Sequence, residues 1–280
     1  MRVIIFGASG LLGKALMREW SGDTVTGLTS RAADIRDAKR VLEVVQEARP
    51  EWIVLAAAYT DVDGCESKPE LAFAVNRDGA VNVAAAAKQV GAGLVFLSSD
   101  YVFDGTKTTP YEIGDARNPQ SVYGRTKAEA ELRLLELMPD CCIVRTSWLF
   151  GVGGKCFPDT ILKLAASRPA LDVVEDQRGS PTYAEDLSRA IIQLCRMNAT
   201  GIVHATNVGD CSWFEFAEEI VSRAGLGTAV RPVSSRQMAR PAPRPAYSVL
   251  SPGRLRALGI EMPSWRDALR RYMEQRERTS

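Results

Sequence analysis

The chain is 280 residues long, 46% hydrophobic and 25% charged, with a formal net charge of +1. This is ordinary globular composition, long enough for one large domain or two lobes sharing a core, and the near-neutral balance argues against a nucleic-acid or anionic-membrane partner. No apolar run approaches the ~20 residues of a membrane helix, and the opening MRVIIFGASG lacks the length and cleavage site of a signal peptide, so a cytoplasmic protein is expected.

MRVIIF reads as a parallel strand buried on both faces. A helix follows over about 11–20, DTVTGL is a second strand and 37–48 a helix, with Val41, Leu42, Val44 and Val45 at its apolar positions. EWIVLAAA is a third strand, 71–90 a long alanine-rich helix, GLVFLSS a fourth strand, 122–137 a helix and CCIVRTS a fifth strand. Such βαβ repetition predicts an α/β fold, a doubly wound parallel sheet of Rossmann type with a smaller C-terminal substrate-binding lobe. The expected division is a dinucleotide-binding domain over 1–150 and a substrate lobe over 151–280, with parts of about 171–207 returning to the main sheet. There ALDVVED and GIVHATN read as strands, 185–196 and 213–224 as helices. Residues 231–252 hold five prolines and several arginines. They read as a loop wrapping the substrate lobe in preference to a polyproline ligand. A last helix from Trp265 groups Leu269, Tyr272 and Met273 near one face.

Six cysteines without a Cys-x-x-Cys spacing exclude a zinc site or disulfide framework. His204 is the only histidine. Ser-His-Asp and Cys-His mechanisms are therefore excluded unless His204 itself is the base.

Gly7, Gly10 and Gly13 follow a strand and open a helix. Glycines allow the tight turn and a close backbone approach to a pyrophosphate, which the helix N-terminus favours. Gly7, Ser9, Gly10 and Gly13 are thus candidate cofactor residues. After the second strand, a carboxylate would select NAD by bonding the ribose 2′-hydroxyl; Thr29, Ser30 and Arg31 offer two hydroxyls and a guanidinium instead, which favours NADPH, with NADH as the alternative donor.

Tyr123 and Lys127 stand one helical turn apart. An ammonium beside a phenol lowers its pKa and makes it a proton donor near neutrality, and the same amine can bond ribose hydroxyls. Ser98 and Ser99 end the fourth strand, where open α/β sheets bind ligands, and a hydroxyl there would polarise a substrate carbonyl.

In these motifs, in AAAYTDVDGCES, Phe73-Ala-Val-Asn76, LSSDYVFDG, VYGRTKAEAE, VRTSWLFG and DQRGSPTYAEDL, and in the late RPAYSVL, nearly the whole chain resembles the dTDP-4-dehydrorhamnose reductase family of extended short-chain dehydrogenase/reductases. The resemblance implies reduction of a 4-keto-6-deoxy sugar on a nucleoside diphosphate, with Ser99, Tyr123 and Lys127 as the catalytic trio. It places Gly10, Leu11 and Leu12 at the cofactor's pyrophosphate, Asp34 and Ile35 at its adenine end, Ala57, Ala58, Tyr59 and Thr60 along the cofactor after the third strand, and Ser99, Asp100, Tyr101, Trp148 and Arg244 against the substrate. It also implies a homodimer; no metal is assigned. Leu55 and Cys156 stand where the family usually has asparagine, so the reaction type is better marked than the sugar. A reductase for another deoxysugar nucleotide, an epimerase or dehydratase, and a non-catalytic NADP-binding regulatory subunit are the competing readings.

Overall fold

A computed structural model describes residues 1–279. The first half contains β1 (Arg2–Phe6), α1 (Leu11–Glu19), β2 (Thr24–Leu28), α2 (Ala38–Ala48), β3 (Trp52–Leu55), α3 (Val62–Ser67), α4 (Pro69–Phe73), α5 (Gly79–Val90), β4 (Gly93–Ser99), α6 (Val122–Leu137) and β5 (Cys142–Thr146). The second half contains β6 (Leu149–Phe150), α7 (Phe157–Ala165), β7 (Ala170–Val174), β8 (Arg178–Gly179), β9 (Thr182–Tyr183), α8 (Ala184–Arg196), β10 (Gly201–His204), β11 (Cys211–Ser212), α9 (Trp213–Arg223), β12 (Ala229–Val233), α10 (Gly253–Ala257) and α11 (Trp265–Thr279). None of the described helices is long and apolar enough to cross a membrane.

Six parallel strands form the main sheet in the order β10-β5-β4-β3-β1-β2. Their apolar runs are continuous because both faces are covered. Val3, Ile5, Val54, Val95 and Val144 pack with Leu16 of α1 and Leu187 and Ile191 of α8. Ile4, Phe6, Ile53, Phe96 and Ile143 pack on the opposite face with Val41 of α2, Val83 of α5 and Leu134 of α6. The chain winds outward in both directions from the β1–β3 pair, and a switch point of this kind opens a crevice at the strands' C-terminal ends.

The alanine-rich stretch is not one regular helix. Between α4 and α5 the backbone widens into a π-turn over Ala74–Asp78. This turn directs Asn76 inward, where its Oδ1 accepts from Tyr59 N–H at 2.7 Å and its Nδ2 donates to Tyr59 O and Thr126 Oγ1. A regular helix would misplace that amide, which ties the loop after β3 to α6.

Within 171–207, α8 and β10 join the main sheet, whereas β7 pairs with β12 in the second lobe. β12 was not expected, because Pro232 argues against a strand; it is tolerated in a two-stranded sheet, where one side of the ladder is open. The second lobe is built around Phe150, Tyr183, Phe216, Trp265 and Tyr272, whose rings pack mostly edge to face. α11 is fastened by Arg271, which donates to both carboxylate oxygens of Asp186 at 2.8 and 2.6 Å.

Candidate active site

The turn after β1 is shaped by its glycines. Gly7 has φ 87°, and a Cβ there would lie 2.5 Å from Ala57 N. At Gly13 a Cβ would lie 2.1 Å from Gly7 O, so α1 packs directly on the turn. Gly10 caps α1 without a side-chain acceptor, and the first turn holds no acid. The N-terminal N–H groups and their partial positive charge therefore remain available to an anion. A groove of about 460 Å³ runs from Gly7, Ser9 and Gly10 past Ala57 and Ala58 to Ser30, Asp34 and Ile35.

The other proposed cofactor residues are distributed unevenly around this groove. Leu12 is buried in the core and Leu11 packs toward the second lobe, so only their backbone can meet a pyrophosphate. Thr29 and Arg31 do not line the groove, and Arg31 is exposed. Arg36 does line it; sequence reasoning missed it. Its guanidinium grips Asp34, with Nε 3.1 Å from both carboxylate oxygens, and this holds the Asp34 carboxyl below its ordinary range. Tyr59 and Tyr123 both pack against the buried cluster of Cys65, Ala72 and Val122, and Thr60 is exposed.

Ser99, Tyr123 and Lys127 are brought together where β4 meets the start of α6. Ser121 Oγ accepts from Gly124 N–H at 3.1 Å and caps the helix, placing Tyr123 in its first turn. Ser99 Oγ donates to Asp100 Oδ1 at 2.8 Å and contacts the Tyr123 hydroxyl. The two candidate serines separate: Ser98 Oγ donates to Glu131 instead. Tyr101 stands edge-on to Tyr123, with centroids 5.6 Å apart.

The electrostatics differ from the expectation. Burial pushes the Tyr123 phenol up, only partly opposed by Ser99. Burial lowers the Lys127 amine to about 8, with Glu131 acting in the opposite direction. Lys127 Nζ donates to Leu97 O at 2.9 Å. In this poorly hydrated site desolvation disfavours both charged forms, and it outweighs their mutual attraction. Tyr123 therefore keeps its proton, as a donor must. Burial also raises Asp100 to about 6, with Ser248 and Ser99 holding it back.

Behind Lys127 lies a network that motif reading had not separated from the family pattern. Glu131, fully buried, accepts from Arg145 Nε at 2.9 Å, Arg145 Nη2 at 2.6 Å and Arg117 Nη1 at 3.1 Å. His204 is buried beside Arg145, 3.4 Å from its Nη1. Burial first, and then Arg145, lower His204 to about 4, which keeps it neutral. All six cysteines are free and buried.

A cleft of about 750 Å³ borders Tyr101 and runs into the second lobe, lined by Phe157, Gln177, Trp213, Arg240 and Arg244. Trp148 does not line it. Its φ of 46° turns the indole against Gly179, and the ring stacks on Trp213 at 3.5 Å between centroids. Trp213, missed from sequence, is the tryptophan that the cleft presents, beside Tyr101 and Phe157. Its only sequence signal is its place as the first helical residue, inside the Ser212–Glu215 capping box that starts α9.

A family model described as the RmlD substrate binding domain matches residues 1–278. The chain belongs to this family. Within it, the chain is 42% identical to a dTDP-4-dehydrorhamnose reductase of Streptomyces griseus, covering 96% of this chain and 91% of that one. It is 40% identical to a spore coat polysaccharide biosynthesis protein of Bacillus subtilis, with 98% of each covered. The crystal structure of dTDP-4-dehydrorhamnose reductase from Bacillus anthracis in complex with NADP superposes with a TM-score of 0.96 at 42% identity, covering 98% of this chain and 99% of that one.

Proposed function

We propose that this protein reduces the 4-keto group of a dTDP-linked 6-deoxy sugar, dTDP-4-dehydro-L-rhamnose to dTDP-L-rhamnose, with NADPH as donor and Tyr123 as the acid. The observation that carries the reading is the meeting of Ser99, Tyr123 and Lys127 at the end of β4, beside a glycine-lined groove and an arginine-lined cleft. The names of the relatives, and the NADP held by the Bacillus anthracis enzyme, support the choice of sugar and donor.

The groove fits a dinucleotide on its own geometry. A Cβ at Gly7 or Gly13 would fill the turn, and the acid-free N-terminus of α1 suits a pyrophosphate. Gly7, Ser9 and Gly10 would hold the phosphates, Asp34 and Ile35 the adenosine, and Lys127 the ribose beside the reacting centre. Bound NADPH supplies the hydride. Ser99 holds the carbonyl oxygen, and Tyr123 delivers a proton to that oxygen as charge develops there, a contribution of about 10²- to 10⁴-fold in rate. The Lys127 amine, facing Leu97 O and carrying a labile proton, supports the phenolate left behind. Trp213 and Phe157 offer apolar surface for the nucleotide, and Arg240 and Arg244 offer charge for its diphosphate. Tyr101 and Asp100 stand beside the sugar. The reading includes a cytoplasmic address and a homodimer.

The test is NADPH oxidation by the purified protein with a panel of nucleotide-linked 4-keto sugars, the product's C4 configuration being read by NMR. Turnover of dTDP-4-dehydrorhamnose above the other sugars is expected. Failure of every 4-keto sugar, in protein that binds NADPH, refutes the reading; preference for another sugar moves the protein to a different deoxysugar. Light scattering gives the oligomeric state.

A further inference from the structure

The wall of the cleft contributed by residues 234–246 is a strap tied at both ends to the second lobe. Ser235 donates through its N–H and Oγ to Asp176, Gln177 Nε2 donates to Ser235 Oγ, and Arg178 N–H donates to Ala246 O. Between those ties, among the described residues, 236–244 make hydrogen bonds or ion pairs outside the strap to one residue alone, Asp63 in α3. Asp63 Oδ1 accepts from Arg244 Nη1 at 3.0 Å and from Ala242 N–H at 3.1 Å, and Oδ2 accepts from Arg244 Nη2 at 2.9 Å. Arg240 Nη1 lies 3.7 Å from the same oxygen. Asp63 does not line the cleft, whereas Arg240 and Arg244 do.

We infer that Asp63 is a positioning residue for the nucleotide sugar, acting through Arg244. A carboxylate that engages both terminal nitrogens fixes the plane of a guanidinium, which a single contact would not do. Arg244 Nη1 also donates to Ala242 O, while its Nε has no acceptor in the protein and remains free for an anion. The same carboxylate holds the strap down through the Ala242 N–H and keeps Arg240 close, so a single acid on the cofactor-binding lobe places two cations of the substrate cleft. α3 begins just beyond the Ala57–Thr60 turn at the cofactor rim, so the clasp joins the two halves of the site. The inference rests on the substrate reading above, because the ligand to be positioned is the diphosphate.

Asp63→Asn and Asp63→Ala, with Asp63→Glu as the conservative variant, test the assignment in the full chain. The substrate KM and the dissociation constant of dTDP are expected to rise about tenfold, the loss of about 1.4 kcal/mol of binding. kcat and NADPH affinity stay within about twofold, the melting temperature changes little, amide exchange quickens over 236–244, and Asp63→Glu recovers part of the affinity. A purely structural role would not separate KM from kcat in this way. Unchanged KM and dTDP affinity in Asp63→Asn, in a parent enzyme that turns over the sugar, overturn the positioning role, as does a fall in kcat at constant KM. A parent protein that turns over no dTDP-sugar overturns the substrate reading instead, and dTDP affinity with amide exchange over 236–244 then decides the clasp by itself.

Discussion

Replacing Lys127 by methionine should remove activity and make the protein more stable at neutral pH. Lys127 is 3% exposed, and burial lowers the pKa of its amine from 10.5 to about 8. At about 1.4 kcal/mol per pH unit, holding the charged form inside the fold costs about 3 kcal/mol below pH 8. The folded protein binds this proton less tightly than the unfolded chain, so the penalty is complete below about pH 8 and shrinks to nothing as pH approaches 10.5. Methionine has a similar length, but leaves the Leu97 carbonyl without the lysine donor, a loss of about 1 kcal/mol. The net gain at pH 7 is therefore about 2 kcal/mol. Urea denaturation of both proteins at steps between pH 7 and 10 measures it, with NADPH oxidation run alongside. Parent stability should rise relative to Lys127→Met through this window until the difference closes. A variant no more stable than the parent at pH 7, or a constant difference across the window, would refute the claim that a desolvated ammonium is held here at the expense of stability.

The remaining predictions concern the acid, the cradle and the buried carboxylate. Tyr123→Phe should lower kcat about 10²- to 10⁴-fold while NADPH affinity, read by fluorescence titration, changes less than about twofold; near-normal turnover would remove Tyr123 from the chemistry. Gly13→Ala places a Cβ 2.1 Å from Gly7 O and 2.7 Å from Ala8 Cα. Relieving that clash costs about 1–3 kcal/mol and shifts the start of α1, so NADPH binding should weaken at least about tenfold, and unchanged affinity would show that the turn is no cofactor cradle. Asp100 is raised from 3.8 to about 6, so its charge costs about 3 kcal/mol above pH 6 and nothing below about pH 3.8. Asp100→Asn should therefore be more stable than the parent at pH 8 and equal to it at pH 4 in denaturant titrations; the same difference at both pH values would rule out burial of the charge as its source.

Much of this molecule is local in origin, and that part was legible. MRVIIF, GLVFLSS and CCIVRTS are short apolar runs flanked by turn residues, and each became a strand of the parallel sheet. The glycine turn and the Tyr123–Lys127 spacing depend on backbone geometry over a few residues, which composition and order specify directly. The π-turn at Asn76 was hidden, because an alanine-rich stretch has the propensity for a regular helix and the reason to deviate lies in Tyr59 and Thr126, far away in the chain. β12 was obscured by Pro232, and the exchange of Trp148 for Trp213 at the cleft came from a positive φ that no pattern announces.

The amino-acid order by itself determined the fold class, the glycine turn and the pairing of Tyr123 with Lys127, since these follow from periods of two and 3.6 residues and from glycine's freedom, whereas the choice between Ser98 and Ser99 was the structure's. Tertiary structure alone decided the electrostatic state of that site and the make-up of the substrate cleft. The spacing of Tyr123 and Lys127 suggests an acidified phenol, yet burial raises the phenol and lowers the amine. Desolvation depends on what all the other residues exclude from around a group, and the placing of Arg244 depends on Asp63, 181 positions away in the chain. Neither is a property of neighbours in sequence.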